Sequence, residues 1–155
     1  MSRKRLLVLG VGNPLAGDDA IGIEIVKRLK KLKLPKEVDV VEGGTLSFQL
    51  INFFDNYDKI VVVDAVKSGK KPGSVVKIEM KDLIESISVS VASSHDFSFF
   101  TVAKALSMIR KIPEIVVVGI EVENLESFEP SDSVKKSLDE AVKKILEEID
   151  HSLNR

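Results

Sequence analysis

Four side chains have the chemistry to hold a divalent ion or activate a water. Asp18 and Asp19 stand together in Gly10-Val11-Gly12-Asn13-Pro14-Leu15-Ala16-Gly17-Asp18-Asp19-Ala20-Ile21-Gly22. Asp64 closes the apolar run Ile60-Val61-Val62-Val63. His95 lies in a small-residue stretch, and the other histidine, His151, sits near the C-terminal end. Two carboxylates and an imidazole can ligate one divalent ion and leave positions open for water or substrate. That donor set is harder than a thiolate site and suits nickel or zinc better than copper(I).

Each residue also has a plainer reading. Asp18 fits a helix N-cap or a first-turn acid favoured by the helix dipole. One acid suffices for a cap, so Asp19 is harder to explain that way. Asp64 could initiate an Asx turn. Ser93 and Ser94 adjoin His95, but there is no Gly-x-Ser-x-Gly elbow to make either a nucleophile. The glycine stretch is not a phosphate cradle. Leu15 stands where the third glycine of G-x-G-x-x-G belongs, and the two acids would repel a phosphate.

The elements that must carry these residues alternate between strand and helix. Leu6 to Val11 is uniformly apolar, as a central parallel strand buried on both faces should be. A helix is expected from Asp18 or Asp19 to about Lys33, with Ile21, Ile25, Leu29 and Leu32 on its buried side and Pro35 ending it. Val38 to Val41 reads as a short strand, and Glu42-Gly43-Gly44-Thr45 as a glycine turn. A second helix is expected over Leu46 to Phe54, and another buried strand over Lys59 to Ala65 with Asp64 at its carboxyl end. Ser74 to Met80 alternates in part and reads as an edge strand, with antiparallel pairing allowed.

Lys81 to Ser86 reads as a short helix, and Ser88 to Asp96 as a loop. A third main helix spans Phe97 to Arg110, with Phe99, Val102, Ala103, Leu106 and Ile109 as its stripe. Ile115 to Ile120 is the last core strand, followed by an acidic loop over Glu121 to Pro130. Ser131 is the expected cap of a final helix whose Val134, Leu138, Ala141, Val142, Ile145 and Ile149 face the core. His151 to Arg155 reads as a frayed tail. The pattern predicts an α/β three-layer sandwich: a twisted, mostly parallel five-stranded sheet with helices on both faces and one edge strand open to antiparallel pairing. In such a sheet ligands bind beyond the carboxyl ends of the strands, where Asp18, Asp19, Asp64 and His95 all fall.

At 155 residues the chain is expected to form one domain, residues 1–155. A net charge of -1 gives no reason to expect nucleic acid or a polybasic membrane contact. The absence of cysteine excludes disulfides, thiolate catalysis and cysteine metal sites. No stretch is long enough for a membrane span, and a cytoplasmic location is the default. Polar, charged outer helix faces favour a monomer.

The glycine-acid stretch resembles the signature of the [NiFe]-hydrogenase maturation endopeptidases. The rest follows in that family's order: Gly43-Gly44-Thr45, an apolar strand ending Asp64-Ala65, Ser94-His95, and a strand ending Val118-Gly119-Ile120. The resemblance covers nearly the whole chain. It implies a peptidase that cuts a C-terminal extension from a hydrogenase large-subunit precursor once nickel is inserted. It further implies that Asp19, Asp64 and His95 engage that nickel, which the precursor supplies. Gly43, Gly44 and Thr45 are then candidates for substrate binding. Some members carry glutamate at the Asp19 position, so Asp19 is a shorter ligand here. Ala20 replaces a frequent glycine, and Glu42 a frequent aspartate.

Water attack is the expected chemistry, with Asp18 or Asp19 as general base. The family is often grouped with aspartic peptidases, yet no Asp-Thr-Gly motif of a pepsin-like dyad is present. Two other readings compete. A magnesium-binding receiver domain shares the paired acids and the strand-end aspartate. It needs a lysine after its last core strand, where this chain has Glu121. A freestanding metallopeptidase would instead carry its own resident ion.

Overall fold

The computed structural model describes residues 4–12, 21–44, 48–67, 69–80, 90–91, 103–122, 132 and 136–154. Its strands are β1 (Leu6–Val11), β2 (Val38–Gly44), β3 (Lys59–Lys67), β4 (Val75–Glu79), β5 (Ser90–Val91) and β6 (Glu114–Glu121). The main path across the sheet runs β2-β1-β3-β6-β4, and the two-residue β5 pairs with β3 off that path. β1, β2, β3 and β6 are mutually parallel, while β4 is an antiparallel edge strand on β6. The expected mostly parallel five-stranded sheet with an antiparallel edge is therefore present, with β5 as an addition.

The three inner strands are apolar because both of their faces are covered. Every residue of β1 is buried, as are all but the last of β3 and all but the first of β6. Alternation divides their side chains between two cores. Leu6, Val8, Val61, Val63, Val118 and Ile120 face α1 (Ile21–Lys30) and α2 (Leu138–Ser152). Leu7, Leu9, Ile60, Val62, Val66 and Val117 face the other side, where Phe54 and Ala103 pack. Each fully buried aliphatic side chain contributes roughly 1.5–3 kcal/mol of transfer free energy. Both layers of the sandwich are thus held by the strands themselves.

Several element ends differ from those expected on sequence. α1 ends at Lys30, where Lys31 and Leu32 N–H groups tighten onto the Arg28 and Leu29 carbonyls. Leu32 consequently lies outside the helix and is exposed. The segment before Phe54 is a 3-10 helix, Phe48–Phe53, rather than an α-helix. The helical run that includes residues 103–107 gives way to turn at 108–110, so Ile109 is 81% exposed instead of buried. Residues 90–91 form β5 where a loop was expected. α2 continues through His151 to Ser152 in place of a frayed tail, because the Ser152 hydroxyl, itself buried, is bonded by the Lys59 ammonium at 2.7 Å. Its expected core positions Leu138, Ala141, Ile145 and Ile149 are buried. The expected Ser131 cap and the short helix over 81–86 fall outside the described residues.

Candidate active site at the carboxyl ends of β1 and β3

Of the four candidate metal-binding or catalytic residues, Asp64 is the one within the described residues, and it is fully buried. The strand does not stop there. β3 runs three residues further, through Ala65 and Val66 to Lys67, so Asp64 is not a turn residue. Alternation places its side chain on the face of Val62 and Val66. Its Oδ1 accepts a hydrogen bond from the Ala65 N–H at 2.8 Å. Across the ladder, Asp64 stands opposite Gly119 of β6. A Cβ on Gly119 would come within 2.5 Å of the Val66 side chain, so glycine is what lets Val66 pack there.

One edge of β3 is shared between two strands. β6 occupies the opposite edge from Lys59 to Val66. β1 pairs with β3 from Lys59 up to Val63, and β5 takes over at Val66. Asp64 and Ala65 therefore sit in the interval where β1 has turned away and β5 has not begun. In open parallel sheets ligands bind beyond such carboxyl ends of strands.

The glycines around it have specific jobs. Gly12 has φ 138, a conformation that L side chains rarely adopt, and it turns the chain out of β1. Gly22 lies in the first turn of α1, hard against the strand ends. An added Cβ there would meet the Val63 carbonyl oxygen at 2.3 Å and the Val11 carbonyl oxygen at 2.4 Å. Gly10 answers it from the strand side, where a Cβ would meet Val26 at 2.4 Å. Helix and sheet thus touch backbone to backbone beside Asp64.

Gly43 and Gly44 are not a turn but the last residues of β2. The register shifts here: Gly10 pairs with Glu42 and Val11 with Gly44, so β2 spends one extra residue. Such a bulge bends a strand end and re-aims it. Asp18, Asp19, Thr45 and His95 lie outside the described residues.

Glu121 is a residue that the sequence reading assigned to a polar loop. It is instead the last residue of β6 and 2% exposed. Its carboxylate accepts the Gly69 N–H at 3.0 Å, and its backbone bonds Gly73 and Ser74 at 2.8 Å each. It pins the β3–β4 connection beside the strand ends. The signal was available: a single acid continuing an apolar strand, as at Asp64.

Clear pKa shifts occur at the opposite end of the sheet. Burial and the hydrogen bond to Asp39 push the Tyr57 hydroxyl up from its usual range. Burial opposes ionisation of Glu148, but hydrogen bonds from Lys59 and Lys77 outweigh it and hold the carboxyl below its usual range.

A family model for the hydrogenase maturation proteases matches residues 23–148. The chain belongs to that family. A putative hydrogenase maturation protease from Methanocaldococcus jannaschii is 34% identical, spanning 96% of this chain and 99% of that protein. The hydrogenase 2 maturation protease of Escherichia coli is 30% identical, spanning 94% of this chain and 88% of its own length. Among solved structures, the hydrogenase maturating endopeptidase HybD from E. coli superposes with a TM-score of 0.82 at 29% identity, over 96% of this chain and 93% of that one. HybD from Thermococcus kodakarensis gives 0.74 at 29% identity, over 92% and 97%. As a hydrogenase maturation protease the chain is a peptidase, and neither competing reading finds support in these likenesses. No helix among the described residues is long and apolar enough to cross a membrane.

Proposed function

We propose that this protease removes the C-terminal extension of a [NiFe]-hydrogenase large-subunit precursor after nickel insertion, acting as a cytoplasmic monomer. The observation that carries the site is Asp64, a fully buried carboxylate in the interval between β1 and β5. Asp64, Asp19 and His95 are the ligands for the precursor's own nickel, and Gly43, Gly44 and Thr45 contact the peptide. In sequence, Asp19 lies two residues before Ile21 and His95 four after Val91.

In this reading the bound nickel orients the scissile amide beside the carboxylates and polarises its carbonyl. Asp18 or Asp19 takes a proton from the attacking water and passes it to the leaving amine. The C–N bond breaks, giving a new carboxylate and a free amine. No chain nucleophile and no pepsin-like aspartate dyad is used.

The test is trimming of nickel-loaded and nickel-free precursor by the purified protein. Trimming of the loaded form alone is expected; equal rates on both would overturn recognition through the metal. Metal analysis of protein purified without added metal is expected to find no stoichiometric zinc or nickel. Finding either would favour a resident ion.

A further inference from the structure

We infer that the outer edge of β2 is the docking strand for the substrate, which adds to the sheet as an extended segment paired with Val40 and Glu42. The inference rests on the peptidase reading above and specifies how that site holds its polypeptide.

The hydrogen-bonding phase of β2 follows from one bond. The Leu6 N–H donates to the Glu37 carbonyl at 3.0 Å. Along a parallel ladder, successive residues of a strand direct their backbone groups to opposite sides. Asp39 and Val41 therefore direct N–H and C=O toward β1. Val38, Val40 and Glu42 direct theirs outward. Val38 agrees, since its N–H bonds outward to the Pro35 carbonyl at 3.0 Å. Among the described residues no strand pairs with that outer side, β2 being the terminal strand of the sheet. Glu42 is exposed and Val40 half-buried.

An edge of backbone donors and acceptors is complementary to one kind of occupant, an extended polypeptide. Three features favour this edge over β4. β2 runs parallel to β1 and delivers its carboxyl end beside Gly10 and Val11, where the candidate site begins. The bulge at Gly43-Gly44 lies at that end and bends the strand. At β4, by contrast, the turn that leads into the strand is bonded by this chain itself. There the Ser137 hydroxyl donates to the Gly73 carbonyl, and the Ser74 hydroxyl to the Lys71 carbonyl. A peptide on β2 gains main-chain bonds without regard to its side chains. Its path leads past the glycine pair toward the interval at Asp64.

The test reads single-residue amide exchange on the full chain, free and with nickel-loaded large-subunit precursor. The Val40 and Glu42 amides should slow at least about tenfold on binding, while Val41, already bonded to β1, should change little. Glu42→Pro removes an outward donor without touching the β1 ladder. It should reduce trimming at least about tenfold through KM, with the melting temperature retained. If precursor binds and is trimmed but the Val40 and Glu42 amides are unaltered, the docking edge is overturned while the peptidase reading stands. Protection at Val75–Glu79 instead would assign the other edge and likewise overturn it. If wild-type protein neither binds nor trims the loaded precursor, the peptidase reading fails and takes this inference with it.

Discussion

Lys59 and Asp64 are both buried ionisable side chains on one strand, five residues apart, and their surroundings differ. Lys59 opens β3 at the amino end of the sheet and faces the C-terminal helix. Its ammonium bonds Glu148 and, at 2.7 Å, the Ser152 hydroxyl, with the Glu114 carboxylate at 3.6 Å; Lys77 approaches Glu148 from the far side at 2.9 Å. Asp64 lies near the carboxyl end and faces the other core. It is flanked by Ala65 along the strand and Gly119 across it, in the interval between two pairing partners. Lys59, bonded to Glu148 and Ser152, fastens the C-terminal helix to β3. Asp64 is buried near the other end of the strand, at the carboxyl side of the sheet where the proposed site lies.

Single substitutions can break that contrast. Asp64→Asn should lower trimming of nickel-loaded precursor by about 100-fold or more while the melting temperature moves by only a few degrees, read by gel assay and calorimetry. Trimming at the wild-type rate would remove Asp64 from the site. Glu148→Ala should do the reverse. It leaves Lys59 buried without its main partner, at a cost of about 3–5 kcal/mol in denaturant unfolding, with trimming per folded molecule preserved. Gly22→Ala joins the two regions. Its Cβ would press on two carbonyl oxygens that cannot move aside, and about 1–3 kcal/mol of stability should be lost together with activity. A change confined to stability would show that the close approach serves packing alone.

The smallest effect concerns pH. Glu148 ionises more readily folded than unfolded, so its contribution is complete above the ordinary value of 4.5. That contribution drains away as pH falls through the lower folded value. Chemical unfolding followed from pH 6 to pH 3 should show this slope, and Glu148→Gln should flatten it. An unchanged slope would assign the acid sensitivity to other carboxylates.

The inner strands were legible because burial on both faces leaves no polar alternation, and Asp64 was legible as the interruption of such a run. On sequence β2 ends at Val41, three residues before its observed end at Gly44, because a Gly-Gly pair normally signals a turn. Here it carries a bulge, and a bulge depends on the partner strand. Ile109 was misplaced for a related reason. The 3.6-residue pattern continued on paper, but the chain leaves the helix after residue 107. Ser152 was read as tail because only the distant Lys59 gives it a reason to be helical. Glu121 was passed over because an acid followed by other acids looks like a loop. Ser152 and Glu121 are each held by a residue far away in sequence, Lys59 and Gly69.

The strand order also sets the sequence of events during synthesis. β1 finds its first neighbour, β2, within some thirty residues, but its other edge waits for β3, and β3 waits for β6. A nascent chain emerging from a ribosome therefore carries an apolar β1 with one side unpaired until residues past Lys59 are free. It cannot close the middle of the sheet until Glu114 to Glu121 have followed. Late closure of this kind slows folding and lengthens exposure of sticky strands. A pulse-labelling experiment on ribosome-bound chains should find the β1 amides that face β3 becoming protected only after β3 has emerged.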